Sequence, residues 1–333
     1  MIQHARRLLL SLGLASAMAL GVAASTAVAQ VPYFQLVPQN SSKYASIVVD
    51  AKTGEVLYAK RADSPRYPAS ITKVMTLYLA FEQLKAGTLK ESDLITMSRF
   101  AASQKPSKLG LKPGATISVR DAMGVIATRS ANDIAVALAE HIAGTEGQFA
   151  TRMTGTARRL GMARTTFVNS TGLPAAGHLT TARDIATLSR AVVRDFPQFY
   201  RVFSQVAFDY EGQEIVSHNH LLRTLPGVDG IKTGYTNAAG FTLAASAAHD
   251  GVRLIAVVLG GPSRMMRDSN VTELLDTGFE VLTRRSRGDI TTVAANFAEP
   301  DDLSDTVLER LAENVPSDGL LAVNAAPALL RKQ

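Results

Sequence analysis

Cysteine is absent from the 333 residues, so disulfides, thiol nucleophiles and Cys-ligated zinc or iron–sulfur sites are excluded. Any nucleophilic chemistry must use a hydroxyl, an amine or a carboxylate. A basic stripe interleaved with aromatics is also missing. The excess of 35 Lys and Arg over 29 Asp and Glu, +6 in all, is scattered singly or in short groups such as Arg158-Arg159 and Arg284-Arg285. That pattern reads as a solvated, mildly basic surface and gives no footprint for nucleic acid. After residue 30 no uninterrupted apolar run is long enough to span a bilayer. Of the six histidines only His218 and His220 lie close together, and no carboxylate flanks them at ligand spacing, so no metal site is expected.

The N-terminus has the form of an address. Arg6 and Arg7 precede an apolar stretch from Leu8 to Val22, and Ala27-Val28-Ala29 has the small-x-small pattern of a cleavage site. Residues 1–29 are therefore expected to be a signal peptide, with 30–43 a short mature N-terminal segment. Secretion without cysteine suits a bacterial periplasm better than a disulfide-stapled extracellular domain.

The pattern of residues 44–285 predicts one α+β domain. Tyr44 to Asp50 and Glu55 to Tyr58 read as strands joined by a turn at Lys52-Thr53-Gly54. A helix is predicted from Ser70 to Gly87, followed by a mostly helical insert: Asp121–Ala143 in parts, Gln148–Leu160, and Thr181 to Asp195, stopped by Pro197. Short strands return at Gly230–Gly234, Gly240–Ala247 and Val252–Leu259, and a helix over Met265–Leu282 closes the pattern. The layout fits an antiparallel sheet flanked by helices. Residues 286–333, acidic at first and interrupted by Pro300 and Pro327, read as a weakly ordered tail with no firm membrane anchor.

Three short motifs carry the chemistry. In Ser70-Ile71-Thr72-Lys73 the spacing i, i+3 puts the lysine amine within reach of the serine hydroxyl on one helix face. Ser130-Ala131-Asn132 offers a hydroxyl and an amide two residues apart. Lys232-Thr233-Gly234, on a strand, offers a cation, a hydroxyl and a close backbone approach. Each alone is weak; about one Ser-x-x-Lys is expected by chance in such a chain. Ser217-His218-Asn219 and Lys52-Thr53-Gly54 match the second and third motifs as well. Order separates them: Lys52-Thr53-Gly54 precedes the nucleophile, and Ser217-His218-Asn219 lies outside the helical insert.

In that order the trio is the one found in penicillin-binding proteins and class A β-lactamases. The chain resembles the D-alanyl-D-alanine carboxypeptidases, the low-molecular-mass penicillin-binding proteins. The resemblance extends through Tyr67–Lys73, Asn169–Pro174, Thr181–Asp184 and Val228–Thr236, with Arg267 following Gly260-Gly261. It implies a β-lactamase/transpeptidase-like fold and a serine carboxypeptidase that removes the terminal D-alanine from peptidoglycan stem peptides. β-Lactam antibiotics would be covalent inhibitors, and no cofactor is implied. By the same resemblance Ser70, Lys73 and Ser130 are catalytic. Asn132, Lys232, Thr233, Gly234, Tyr235 and Arg267 bind substrate, with the Ser70 and Tyr235 amides as oxyanion hole. Ala131 replaces the usual glycine, and His218 stands where a well-known branch has arginine. A D,D-endopeptidase, a β-lactamase and a non-catalytic wall-binding homologue are the alternatives. The absence of Asp or Glu from Met162–Gly172 leaves a β-lactamase without its deacylating base.

Overall fold

The computed structural model describes residues 43–297, and the expected signal peptide, most of the N-terminal segment and residues 298–333 of the expected tail lie outside them. Strand β1 (Ala45–Asp50) turns back into β2 (Val56–Lys60). The Asp50 carboxylate closes that turn by accepting hydrogen bonds from Thr53 N at 2.6 Å and Thr53 Oγ1 at 3.0 Å. One 3-10 turn (Ala69–Ile71) then leads into helix α1 (Thr72–Ala86), which ends at Gly87 with φ +73°.

The insert follows. Strand β3 (Leu94–Thr96), α2 (Arg99–Ala102) and β4 (Thr116–Ser118), antiparallel to β3, lead to α3 (Val119–Thr128) and α4 (Asn132–Ala143). The predicted helical stretch Asp121–Ala143 is thus two helices broken at Arg129-Ser130-Ala131. Helix α5 (Glu146–Arg159) is capped by Thr145, and α6 (Ala182–Asp195) by Thr181, whose side chain accepts the Asp184 amide. Pro197 opens a further short helix, α7 (Pro197–Tyr200), in the first turn, where its missing N–H costs nothing. The hairpin β5 (Ala207–Tyr210) and β6 (Gln213–Val216) is an addition to the predicted elements, although Glu211-Gly212 between alternating apolar residues is its signal. After α8 (Leu221–Thr224) come β7 (Val228–Thr236), β8 (Gly240–His249), β9 (Val252–Gly261), α9 (Arg264–Ser286) and α10 (Val293–Asn296).

The main sheet is antiparallel with order β2-β1-β9-β8-β7, so β7 is an edge strand. Its alternation separates two cores. Ile47, Val49, Ile255, Val257 and Leu259 pack against the insert helices, whereas Val48, Leu254, Ala256 and Val258 pack against Val271, Leu274 and Leu275 of α9. Residues beyond 285 add to the second core. Phe297 packs edge-on to Tyr58 at 5.1 Å, and Arg285 Nε donates to Thr291 O at 2.8 Å. Among the described residues no helix is long and apolar enough to cross a membrane.

Candidate active site

Ser70 lies in the 3-10 turn and Lys73 in the first turn of α1, both beside the exposed edge of β7. The Lys73 side chain is fully buried. Its Nζ stands 3.0 Å from Ser70 Oγ, 2.6 Å from Asn132 Oδ1 and 2.7 Å from the Thr171 carbonyl. Burial, and then the charge of Lys232, hold its pKa well below 10.5, while Asp133 and Glu146 pull the other way. Asn132 Oδ1 and the Thr171 carbonyl can only accept, so when the amine is neutral they take both of its N–H bonds and its lone pair is left for the Ser70 hydroxyl.

Asn132 opens α4 and is held at both ends, because its Nδ2 donates to Lys105 O at 2.9 Å and its backbone N to Ser107 O at 2.7 Å. Ser130 sits in the break between α3 and α4 with φ +64°, a left-handed conformation rare for a non-glycine residue. Its hydroxyl is buried and makes no hydrogen bond within the protein. Ala131 has φ −61° and ψ 119°, a region open to any residue, so its departure from glycine needs no strained backbone.

Strand β7 brings the third motif. A Cβ on Gly234 would fall 2.8 Å from the Ser70 amide nitrogen and 2.7 Å from Thr242 Oγ1, so only glycine lets the strand run this close to Ser70. Lys232 is buried, donates to Thr233 O at 3.1 Å, and has a pKa lowered to about 7 by burial and then by Arg267. Arg267 is itself buried and occupied, donating to Thr242 O at 3.0 Å and to Asp268 Oδ1 at 2.8 Å. A cleft of about 530 Å³ is lined by all the candidate residues except Lys73 and Lys232, which lie behind its wall. Lys52-Thr53-Gly54 is only the β1–β2 turn. Ser217-His218-Asn219, which order alone excludes, is brought to the cleft: His218 lines it, and Asn219 Nδ2 ties the segment to Gly230 O at 3.2 Å.

The sequence model of the D-alanyl-D-alanine carboxypeptidases matches residues 33–263. The chain belongs to that family. It is 37% identical to the D-alanyl-D-alanine carboxypeptidase DacF of Bacillus subtilis over 239 residues, 71% of this chain and 61% of that protein. Penicillin-binding protein 5 from Haemophilus influenzae matches with a TM-score of 0.69 at 33% identity, covering 72% of this chain and 71% of that chain. Penicillin-binding protein D2 from Listeria monocytogenes, in its cefotaxime-bound form, matches with a TM-score of 0.65 at 31% identity, covering 72% of this chain and 97% of that one. The chain spans about 60% of the length of the curated relatives it matches. The expected α+β, β-lactamase/transpeptidase-like fold is the one it adopts.

Within this family fold, several residues that sequence motifs do not reveal hold the site in place. Glu146, at the start of α5, accepts the Ser170 amide at 2.9 Å and the Ser170 hydroxyl at 2.7 Å. Asn169 Oδ1 accepts the Thr171 and Gly172 amides at 3.2 and 2.8 Å, and together these bonds present the Thr171 carbonyl to Lys73. Asp133, fully buried, accepts the amides of Leu109 and Gly110 at 3.0 and 2.8 Å, which fixes the loop carrying Pro106 and Ser107 along the cleft.

His178 joins helix α1 to the same loop region. Its Nδ1 accepts the Val168 amide at 3.2 Å, so the proton is on Nε2 and is donated to Thr72 Oγ1 at 2.9 Å. Burial, and then the Lys73 charge, push its pKa down to about 3. The unfolded chain takes up this proton near pH 6.5, so the stability linked to His178 is complete above that value and is lost as pH falls toward 3. The expected loss from this group alone is about 2 kcal/mol between pH 7 and 5. Thermal melts across that range should show the decline, and His178→Gln, less stable at pH 7, should show a flatter one.

Proposed function

We propose that the protein is a serine D-Ala-D-Ala carboxypeptidase acting on peptidoglycan stem peptides, exported by its N-terminal segment to the periplasm. The observation that carries this reading is the Lys73 amine, buried and shared between Ser70 Oγ, Asn132 Oδ1 and the Thr171 carbonyl. Neutral Lys73 takes the Ser70 proton as Oγ attacks the carbonyl of the penultimate D-alanine. The oxyanion then faces the Ser70 and Tyr235 amides, each donor worth about 3 kcal/mol in such sites. Ser130, whose hydroxyl is buried and unengaged, passes the proton to the leaving nitrogen as the C–N bond breaks. D-Alanine departs, and water cleaves the Ser70 ester to restore the hydroxyl. Thr233 and Arg267 line the part of the cleft where the terminal carboxylate binds, and Lys232 contributes its charge from behind the wall. Asn132 has both ends of its amide engaged inside the protein, so its first task is to hold Lys73, with substrate contact secondary.

A β-lactam presents the same acyl group with a leaving group that cannot diffuse away, and the Listeria relative was crystallised with cefotaxime bound. A β-lactamase needs a base to free the acyl-enzyme. Glu146 is the acid that contacts the Thr171 loop, but it is bonded to Ser170 and does not line the cleft. A stable adduct is therefore the expectation. Mass spectrometry after incubation with a labelled penicillin should find one adduct, on Ser70, persisting while free penicillin is removed. D-Alanine release from a D-Ala-D-Ala peptide should disappear in Ser70→Ala. Rapid penicillin turnover without an adduct would make the protein a β-lactamase; no reaction with either compound would make it a binder.

A further inference from the structure

Most side chains that line the cleft are polar or basic. Among the described residues the apolar exceptions are Pro106, Leu173 and Tyr235. Two of these stand beside Ser70 for a reason visible in the backbone. A Cβ on Gly172 would run into the Ala69 carbonyl oxygen, and one on Gly234 would lie 2.8 Å from the Ser70 amide nitrogen, so both glycines close on the same turn. Each is followed by an apolar residue that lines the cleft, Leu173 from the loop and Tyr235 from β7. Leu173 is fixed there, since its amide donates to Thr171 Oγ1 at 3.1 Å and its carbonyl accepts Asn169 Nδ2 at 2.9 Å.

Tyr235 is fixed as well. It is the cross-strand partner of Phe241, with ring centroids 4.3 Å apart and planes tilted by 34°. Its hydroxyl donates to Asn237 Oδ1 at 2.9 Å, and the Asn237 carbonyl in turn accepts Lys43 Nζ at 2.9 Å. With the hydroxyl engaged, what Tyr235 offers the cleft is its ring. The residue is nevertheless 52% exposed. A large apolar surface held rigidly at the mouth of a cleft can receive a ligand without further ordering of the protein.

The direction of β7 says which part of a ligand reaches it. Taking the cleft as a D-Ala-D-Ala site, the terminal carboxylate lies by Thr233 and Arg267, and the scissile carbonyl lies at the Tyr235 amide. An extended substrate advances along the free edge of β7 at about the same rise per residue as the strand. Whatever precedes the penultimate D-alanine therefore continues past Tyr235 toward Thr236, away from Thr233.

We propose that the Tyr235 ring, together with Leu173, is an apolar subsite for the side chain of the residue preceding D-Ala-D-Ala, and that it selects a long methylene chain at that position. This rests on the carboxypeptidase reading of the cleft and adds a specificity to it.

The test compares N-acetyl-L-norleucyl-D-Ala-D-Ala with N-acetyl-glycyl-D-Ala-D-Ala, which differ only in that side chain. Binding to the full-length Ser70→Ala protein is followed by NMR titration, so that no turnover is needed. The norleucyl peptide should bind about tenfold more tightly, the gain expected from taking roughly half of a four-carbon chain out of water. Its methylene signals should also move upfield on binding, as protons over a ring face do. In S70A/Y235A the preference should shrink to about twofold or less and the upfield shift should vanish, whereas S70A/Y235F, which keeps the ring, should retain both. The glycyl peptide is the internal control for general damage to the cleft, and melting temperatures report whether each variant is folded. Equal affinities, or a preference unchanged in S70A/Y235A, would overturn the subsite. With Ser70 restored, the ratio of kcat/KM for the two peptides should follow the affinities. If the protein with Ser70 released D-alanine from both peptides equally, the subsite would fall and the carboxypeptidase reading would stand. If it released none while the binding preference held, the subsite would stand and that reading would fall.

Discussion

Replacing Lys73 by alanine is expected to lower kcat/KM for a D-Ala-D-Ala peptide by on the order of 10³-fold, within the usual range for a lost general base. The same loss is expected for Lys73→Arg, and that comparison decides how Lys73 acts. Arginine keeps the positive charge but cannot be deprotonated in a protein. If K73R retained a tenth or more of the activity, Lys73 would be acting through its charge and not as a base. The pH profile supplies the second arm. Lys73 must be neutral, so activity rises as pH climbs through its depressed pKa. Lys232 must be cationic for its charge to favour the carboxylate from behind the cleft wall, so kcat/KM is expected to fall as pH rises past its pKa of about 7. The charge of Lys232 lowers Lys73, so the two titrations are coupled and the limbs of the bell belong to the pair. In K73A the acidic limb should vanish while the basic limb stays.

How much of this site is legible without coordinates depends on whether each contact is local in sequence. Ser70 and Lys73 meet through helical spacing alone, and Thr181 caps α6 through its own backbone, so both can be read directly. Gly234 reads as a close approach, though not as an approach to Ser70. Bonds that cross the insert leave no such mark. Glu146 and Ser170 are 24 positions apart, and Asp133 reaches back to Leu109 and Gly110; nothing in either segment points to the partner. Ser217-His218-Asn219 follows the helical insert and so fails the test of order, yet the β5–β6 hairpin that precedes it returns the chain to the cleft. Phe297 likewise joins the second core by packing on Tyr58, a partner far away in the chain.

Gly172→Ala is the substitution expected to couple stability and catalysis most directly. Gly172 has φ +83°, and a Cβ there would lie 1.8 Å from the Ala69 carbonyl oxygen and 2.9 Å from Thr72 Oγ1. The first contact is with backbone one residue before Ser70, and Ala69 is already in the left-handed region at φ +47°. The side chain cannot swing aside, so either the Asn169–Leu173 loop or the Ser70 turn must move. Left-handed strain and overpacking together are expected to cost about 2–5 kcal/mol, which corresponds to a melting temperature lower by about 5–15 °C for a domain of this size. Gly161→Ala is the control. Gly161 has φ +88° but nothing within 4 Å of the added Cβ, so it isolates the conformational cost, about 1–2 kcal/mol. The two variants should also differ in chemistry. A shifted loop withdraws the Thr171 carbonyl from Lys73, and a shifted turn moves Ser70 from the β7 edge, so the penicillin acylation rate of G172A should fall well beyond what its folded fraction explains. G161A, far from Lys73 in the hydrogen-bond network, should acylate at the wild-type rate once folded. If G172A acylated normally and lost only as much stability as G161A, the contact between Gly172 and Ala69 would not be holding the nucleophile in place.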